Sequence, residues 1–174
     1  SGKNIAVKNS YFKNVKVGIA YGTQSSVLSF QNDTIINSET GIFISNYATQ
    51  AKDVLIENCV IDSCSISGIE IASKQGGLTN GIIHNNKITR FLNDGINIGQ
   101  GDNNIYQYNE IGNGIGSAIR WPRGNSNTKI NNNFIGVDKL GVSMPIQGIG
   151  IDISSQTNQG VGTSGMIRGN IICN

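Results

Sequence analysis

Apolar residues recur along this chain in two short phrases, not with a helical period. The first phrase is an apolar residue, two variable positions, Asn, one variable position, then an apolar residue or Thr. It reads Leu55-x-x-Asn58-x-Val60, Ile83-x-x-Asn86-x-Ile88, Tyr106-x-x-Asn109-x-Ile111, Ile130-x-x-Asn133-x-Ile135 and Ile167-x-x-Asn170-x-Ile172. Weaker copies are Ala6-x-x-Asn9-x-Tyr11 and Ser29-x-x-Asn32-x-Thr34. The seven asparagines follow one another at 23, 26, 28, 23, 24 and 37 residues.

The second phrase is Gly, apolar, any, apolar. It reads Gly18-Ile19-Ala20-Tyr21, Gly41-Ile42-Phe43-Ile44, Gly68-Ile69-Glu70-Ile71 and Gly95-Ile96-Asn97-Ile98. A fifth copy is altered to Ala118-Ile119-Arg120-Trp121, and a sixth is doubled over Gly148–Ile153. In the first five units the gap from Asn to this phrase is 9, 9, 10, 9 and 9 residues. Two independent phrases holding one phase define an internal repeat.

Apolar-x-apolar spacing has the period of a strand, with alternate residues on opposite faces. Each unit therefore predicts short strands, each followed by a corner. Units of like order and direction stack their strands in parallel, at about 4.8 Å per coil. The inward Ile residues then form a continuous apolar column, and Asn at a fixed corner stacks its amides into a ladder. The prediction is an all-β parallel solenoid of about seven coils, one domain over residues 1–174, roughly 34 Å long at that spacing.

Composition agrees. The chain has 29 Ile and 24 Asn but only 5 Leu and 6 Ala, so strand and turn formers prevail over helix formers. Charged residues make up 14% and the net charge is +2, too sparse for the dense basic face of a nucleic-acid binder. No run of 18 apolar residues predicts a membrane-inserted helix. Cys59, Cys64 and Cys173 are an odd set that does not suggest a disulfide framework, and all three are expected in or near the core. No spacing of Cys and His suggests a metal site.

The Asn corners and Gly-Ile-x-Ile strands resemble the right-handed parallel β-helix repeats of pectate-lyase-like proteins, over essentially the whole chain. Asn132-Asn133-Phe134-Ile135-Gly136-Val137-Asp138-Lys139-Leu140-Gly141, followed by Gly148-Ile149-Gly150-Ile151, is similar to a repeat of large secreted bacterial proteins. The resemblance implies an extracellular or cell-surface, carbohydrate-facing role. It spans lyases, hydrolases, epimerases, phage tailspikes and adhesins, so it fixes fold more narrowly than activity. The first coil begins within a few residues of Ser1 and the last stops at Asn174, without polar caps. A capless solenoid suggests a piece of a longer protein, continued by further domains, or end-to-end self-association.

Stacking places Ala20, Phe43, Glu70, Asn97, Arg120 and then Gly150 or Asp152 in one outward row. In the resembled enzymes the corresponding sheet bears the substrate groove. Glu70, Asp94 and Arg120 are the candidate catalytic residues. Phe43, Asn97, Trp121, Arg123 and Lys74 are the candidate polysaccharide contacts, with Tyr47 as a further aromatic and Asp102 on a flanking loop. Glu70 and Asp94 lie on adjacent coils, as a glycosidase carboxyl pair requires. Asn93-Asp94-Gly95 faintly resembles the Asn-Thr-Asp-Gly motif of polygalacturonases, but their Gly-His-Gly and Arg-Ile-Lys are absent, as is the Asp-Pro-His of alginate epimerases. A lyase would use Arg120, Arg123 or Lys74, and Ca²⁺ is the one cofactor such chemistry invites. His84 reads as a structural histidine away from the row, and Asp138 as a turn former. Asn32-Asp33-Thr34 matches a glycosylation acceptor, but as a ladder residue Asn32 is expected to be buried. Three alternatives remain open at this point: a binding module, a depolymerase, and a spacer with no ligand.

Overall fold

The computed structural model describes residues 4–22, 27–46, 51–73, 78–99, 101–121, 125–153 and 164–174. Its described elements are all strands, and no helix long and apolar enough to cross a membrane is present among these residues. A first sheet has seven strands in sequence order: Ile5–Lys8, Leu28–Gln31, Val54–Glu57, Ile82–His84, Ile105–Gln107, Thr128–Asn131 and Gly165–Arg168. Neighbours pair in parallel, one coil to the next.

The second and third sheets share strands. Tyr11–Tyr21, Thr34–Asn46 and Val60–Ser73 run through a bend and belong to both. Later coils break there, so that Val60–Ser73 pairs with Lys87–Phe91 on one side of the bend and Asp94–Ile98 on the other. Glu110–Gly112, Phe134–Ile135 and Ile171–Ile172 continue the second sheet. Ser117–Arg120 and Ile151–Asp152 continue the third. A short fourth sheet stacks Ala51–Lys52, Leu78–Thr79, Gly101–Asp102 and Asn125–Ser126.

The corners are made by left-handed backbone. Fifteen described non-glycine residues have positive φ, and all fall into three columns. One column holds Asn9, Asn32, Asn58, Asn85, Tyr108 and Asn132; the next holds Asn14, Asn37, Ser63, Arg90 and Asn113. The third holds Asp53, Asn80, Asn103 and Asn127. Asn tolerates this region because its short amide can satisfy backbone locally. Side chains also link across coils: Asn32 Nδ2 donates to Asn9 Oδ1 at 3.2 Å, and Asn80 Nδ2 to Asp53 Oδ1 at 3.1 Å.

The register corrects the ladder drawn from sequence. Glu57 pairs with His84, so Asn58 lies opposite Asn85, not Asn86. The seven phrase asparagines thus occupy two adjacent columns. Asn9, Asn32 and Asn58 are exposed corner residues, so the expected burial of Asn32 does not hold. The next column runs inside the coil as Ser10, Asp33, Cys59, Asn86, Asn109, Asn133 and Asn170.

This inner column is the asparagine ladder. Asn86 Nδ2 donates to Asn109 Oδ1 at 3.0 Å, Asn109 to Asn133 at 3.0 Å, and Asn133 to Asn170 at 2.9 Å. Each Oδ1 also accepts a backbone N–H one coil back, as Asn109 Oδ1 does from Asn86 N at 3.1 Å. Each Nδ2 also donates to a carbonyl, such as Asn109 Nδ2 to Ile83 O at 3.0 Å. Cys59 keeps half the pattern: its thiol lies 3.7 Å from Phe30 O, and burial pushes its pKa up to about 11. Asp33 Oδ1 accepts from Ser10 N at 2.9 Å, while its buried Oδ2 has no partner. Cys173, by contrast, is exposed on the last coil and not in the core.

Inward columns carry the apolar core: Phe30, Ile56, Ile83, Tyr106 and Ile130 from the first sheet, and Ile35, Ile61, Ile88, Ile111 and Ile135 from the second. Gly18, Gly41, Gly68 and Gly95 open the third-sheet segments of the first four coils because those Ile side chains fill the bend; Ala118 takes the place in the fifth. A Cβ on Gly68 would stand 2.4 Å from Ile88 Cγ2 and 2.6 Å from Gly95 O.

Three stability predictions follow from the corners and the ladder. Asn109→Ala strands the Asn86 N–H and the Ile83 carbonyl in the interior, at about 1–3 kcal/mol each; denaturant unfolding should show a loss of several kcal/mol. Asp33→Asn supplies a donor where Oδ2 has none and should stabilise by about 1 kcal/mol at neutral pH. Burial raises the Asp33 pKa above its ordinary 3.8. The protonated form therefore favours the fold, fully so below that ordinary value, and its contribution is lost as pH rises through the folded pKa. The advantage of Asp33→Asn should shrink on acidification. Tyr108→Asn replaces a bulky side chain at φ 57° and should stabilise by about 1 kcal/mol in the same measurement.

Candidate functional site

The strand phrase Gly-Ile-x-Ile buries its two Ile residues and leaves x facing out. Register sets these x residues in one row along the third sheet: Ala20, Phe43, Glu70, Asn97, Arg120 and Asp152. Asp152, not Gly150, ends the row, because Ile119 pairs with Ile151. A Cβ on Gly150 would instead meet Ile172 at 2.8 Å, on the inner side. Phe43, Glu70, Asn97 and Arg120 are half-buried.

Asp94 stands beside the row, at the bend before Gly95. It is only 3% exposed. The Arg120 guanidinium bridges two coils, with Nη1 donating to Asp94 Oδ2 at 3.5 Å and Nε 3.7 Å from Asp152 Oδ2. Burial pushes the Asp94 carboxyl above its ordinary range; Arg120 opposes that shift, and the charge of Asp152 adds to it. Burial also raises Glu70, and the nearby charge of Asp94 raises it further. One guanidinium thus pairs with Asp94 and Asp152, and both Asp94 and its neighbour Glu70 hold protons more readily than free side chains do.

Trp121 is not a stacking surface. It is 4% exposed and packs in the core. The cause is strand alternation: Arg120 faces out, so its neighbour faces in. Phe43 is the aromatic residue on the row itself. Tyr47, Lys74 and Arg123 lie outside the described residues. Asp102 lies in the fourth sheet just before the third corner column, accepting from Asn103 N at 3.0 Å and Asn127 Nδ2 at 3.4 Å. Among the described residues, no three His, Cys, Asp or Glu side chains assemble into a group able to hold a metal ion.

His84 lies on the outer face of the first sheet. Its Nε2 is 2.6 Å from Glu57 Oε2, while Gln31 Nε2 donates to Glu57 Oε1 at 2.5 Å. Asn85 Nδ2 is 3.2 Å from His84 Nδ1. Both ring nitrogens are engaged, which suits a structural role. Sequence reasoning missed two ionic groups on the second sheet. Arg90 pairs with Asp62, which also accepts from Thr89 Oγ1 at 2.6 Å. Glu110 takes Lys87 at 3.7 Å and Lys139 at 3.5 Å. The 27-residue spacing between Asp62 and Thr89 matches the repeat and could have signalled the first; the second needs the coil-six insertion to fold back.

The family model for the right-handed β-helix region matches residues 1–80 and 47–172. No curated protein and no solved structure shows significant similarity to the chain. With strand phrases, parallel register and family match in agreement, this chain belongs to the right-handed β-helix family.

Proposed function

We propose that this chain is a carbohydrate-binding β-helix module of a secreted or cell-surface protein. In this reading a polysaccharide lies along the outward face of the third sheet, crossing the coils. The observation that carries it is the in-register row of Phe43, Glu70, Asn97 and Arg120, all half-buried, with Asp94 behind it. A polysaccharide offers hydroxyls at a regular repeat. The row offers an apolar ring, acceptors and donors, one rung of about 4.8 Å apart. Where Ile167 and Ile172 face solvent on the last coil, this reading adds a second kind of partner: further domains of the parent chain, or a second copy stacked end to end.

A second reading, cleavage of the bound chain, has one observation in its favour. Glu70 and Asp94 are neighbouring carboxyls, both with raised affinity for a proton. Glycoside hydrolysis uses one carboxyl as acid and a second as base or nucleophile. Elimination with Arg120 as base has less support, because its guanidinium is engaged by two carboxylates.

Incubation with a panel of neutral and acidic polysaccharides, with and without Ca²⁺, tests both readings. The expected result is retention of at least one polysaccharide on immobilised protein. Glu70→Gln and Arg120→Ala should each weaken that retention about tenfold, roughly 1.4 kcal/mol; Glu70→Gln should leave the melting temperature unchanged, whereas Arg120→Ala, which leaves buried Asp94 unpaired, should lower it. Shortened chains that vanish in Glu70→Gln would establish cleavage. No retention of any polysaccharide on the unsubstituted protein, with every chain intact, would overturn both readings and leave a spacer.

A further inference from the structure

Coil six is longer than the others: 37 residues separate Asn133 from Asn170, against 23 to 28 elsewhere. Part of the surplus forms a closed arm. Val137 bridges Ser143 in antiparallel fashion. Asp138 caps the turn, its Oδ1 accepting from Leu140 N at 2.9 Å and Val142 N at 2.8 Å. Buried Met144 and Ile146 root the arm in the body, and Asn113 N donates to Met144 O at 3.0 Å.

The arm tip reaches back across the coils, where Lys139 meets Glu110. Between tip and body lies a cleft of about 320 Å³. Its floor is Asn58, Val60, Asn85 and Lys87, and its outer wall is Lys139 and Leu140. That volume is at the lower end for ligand sites. Leu140 is 81% exposed at the rim, an apolar surface with no cover.

We propose that this cleft is a second binding site, and that it takes a neutral sugar. Charge gives the class. Lys87 and Lys139 share Glu110, and Asp138 adds a further carboxylate, so neither sign prevails. An anionic ligand would need uncompensated cations, and a purely apolar one would strand the amides of Asn58 and Asn85. A sugar presents hydroxyls that donate and accept, together with an apolar ring face. The cleft supplies both kinds of polar partner, and Val60 and Leu140 supply the apolar contact. Tyr108 stands at the same corner, one rung beyond Asn85, 47% exposed, at a φ of 57° where the other coils use Asn or Gly. Its exposed ring stands outside the cleft lining.

This site is independent of the row on the third sheet, and one titration separates them. The full chain, followed by ¹H–¹⁵N NMR, is titrated with maltose, cellobiose and lactose, and with glucuronate as the anionic comparison. At least one disaccharide should give saturable shifts centred on residues 58–60, 85–87 and 138–142. The double substitution Lys139→Ala, Leu140→Ser should weaken that binding at least tenfold with unchanged melting temperature. Shifts confined to Glu70, Asn97 and Arg120, a stronger response to glucuronate, or no saturable shift would each overturn the proposal.

Discussion

Left-handed backbone at three fixed corners is the constraint on which the rest of this molecule depends. Each coil must turn sharply at the same places, or its strands cannot lie over those of the coil before. At these corners an ordinary L-residue costs about 1–2 kcal/mol, and the chain lowers that cost by placing Asn at 11 of the 15 non-glycine positions. Because the turns are stacked, the side chains at them are stacked too. Amides at the surface corners bridge coil to coil, and the inner ladder from Asn86 to Asn170 satisfies backbone groups that the bend leaves unpaired.

Parallel stacking divides the positions into two kinds. Inward columns repeat nearly unchanged, because each Ile packs against the Ile above and below it. A change there propagates only to neighbouring coils, as expected for a quasi-one-dimensional fold. Outward positions carry no such duty. Along the third sheet they read Ala20, Phe43, Glu70, Asn97, Arg120 and Asp152, with no residue repeated. The scaffold thus sets a spacing and leaves the chemistry free. Glu70 and Asp94 hold protons more readily than free carboxyls because of burial first and of a neighbouring carboxylate second, Asp94 for Glu70 and Asp152 for Asp94.

Where reading from sequence fell short, the cause was local ambiguity. Asn58 is followed by Cys59, and Asn85 by a second Asn, so the apolar-x-x-Asn phrase fitted two alignments one residue apart. A one-residue slip in a strand exchanges the inner and outer faces, and this one turned an exposed corner column into a supposed ladder. The same logic misplaced Trp121, whose size suggested a sugar-stacking ring although its position next to outward Arg120 requires it to face in. The doubled Gly-Ile phrase of coil six left Gly150 and Asp152 as equal candidates until pairing with Ile119 decided between them.

The sequence by itself determined the fold class, the repeat, the inward Ile columns and the membership of the outward row through Arg120. It did so because those features are periodic, and periodicity is written in one dimension. Tertiary structure alone decided which carboxyls gather round Arg120, that Asp33 enters the ladder without a second partner, and that the coil-six arm closes a cleft against Lys87 and Glu110. These depend on which side chains meet across coils 23 to 37 residues apart, and such meetings follow from register and loop path, which no local pattern encodes.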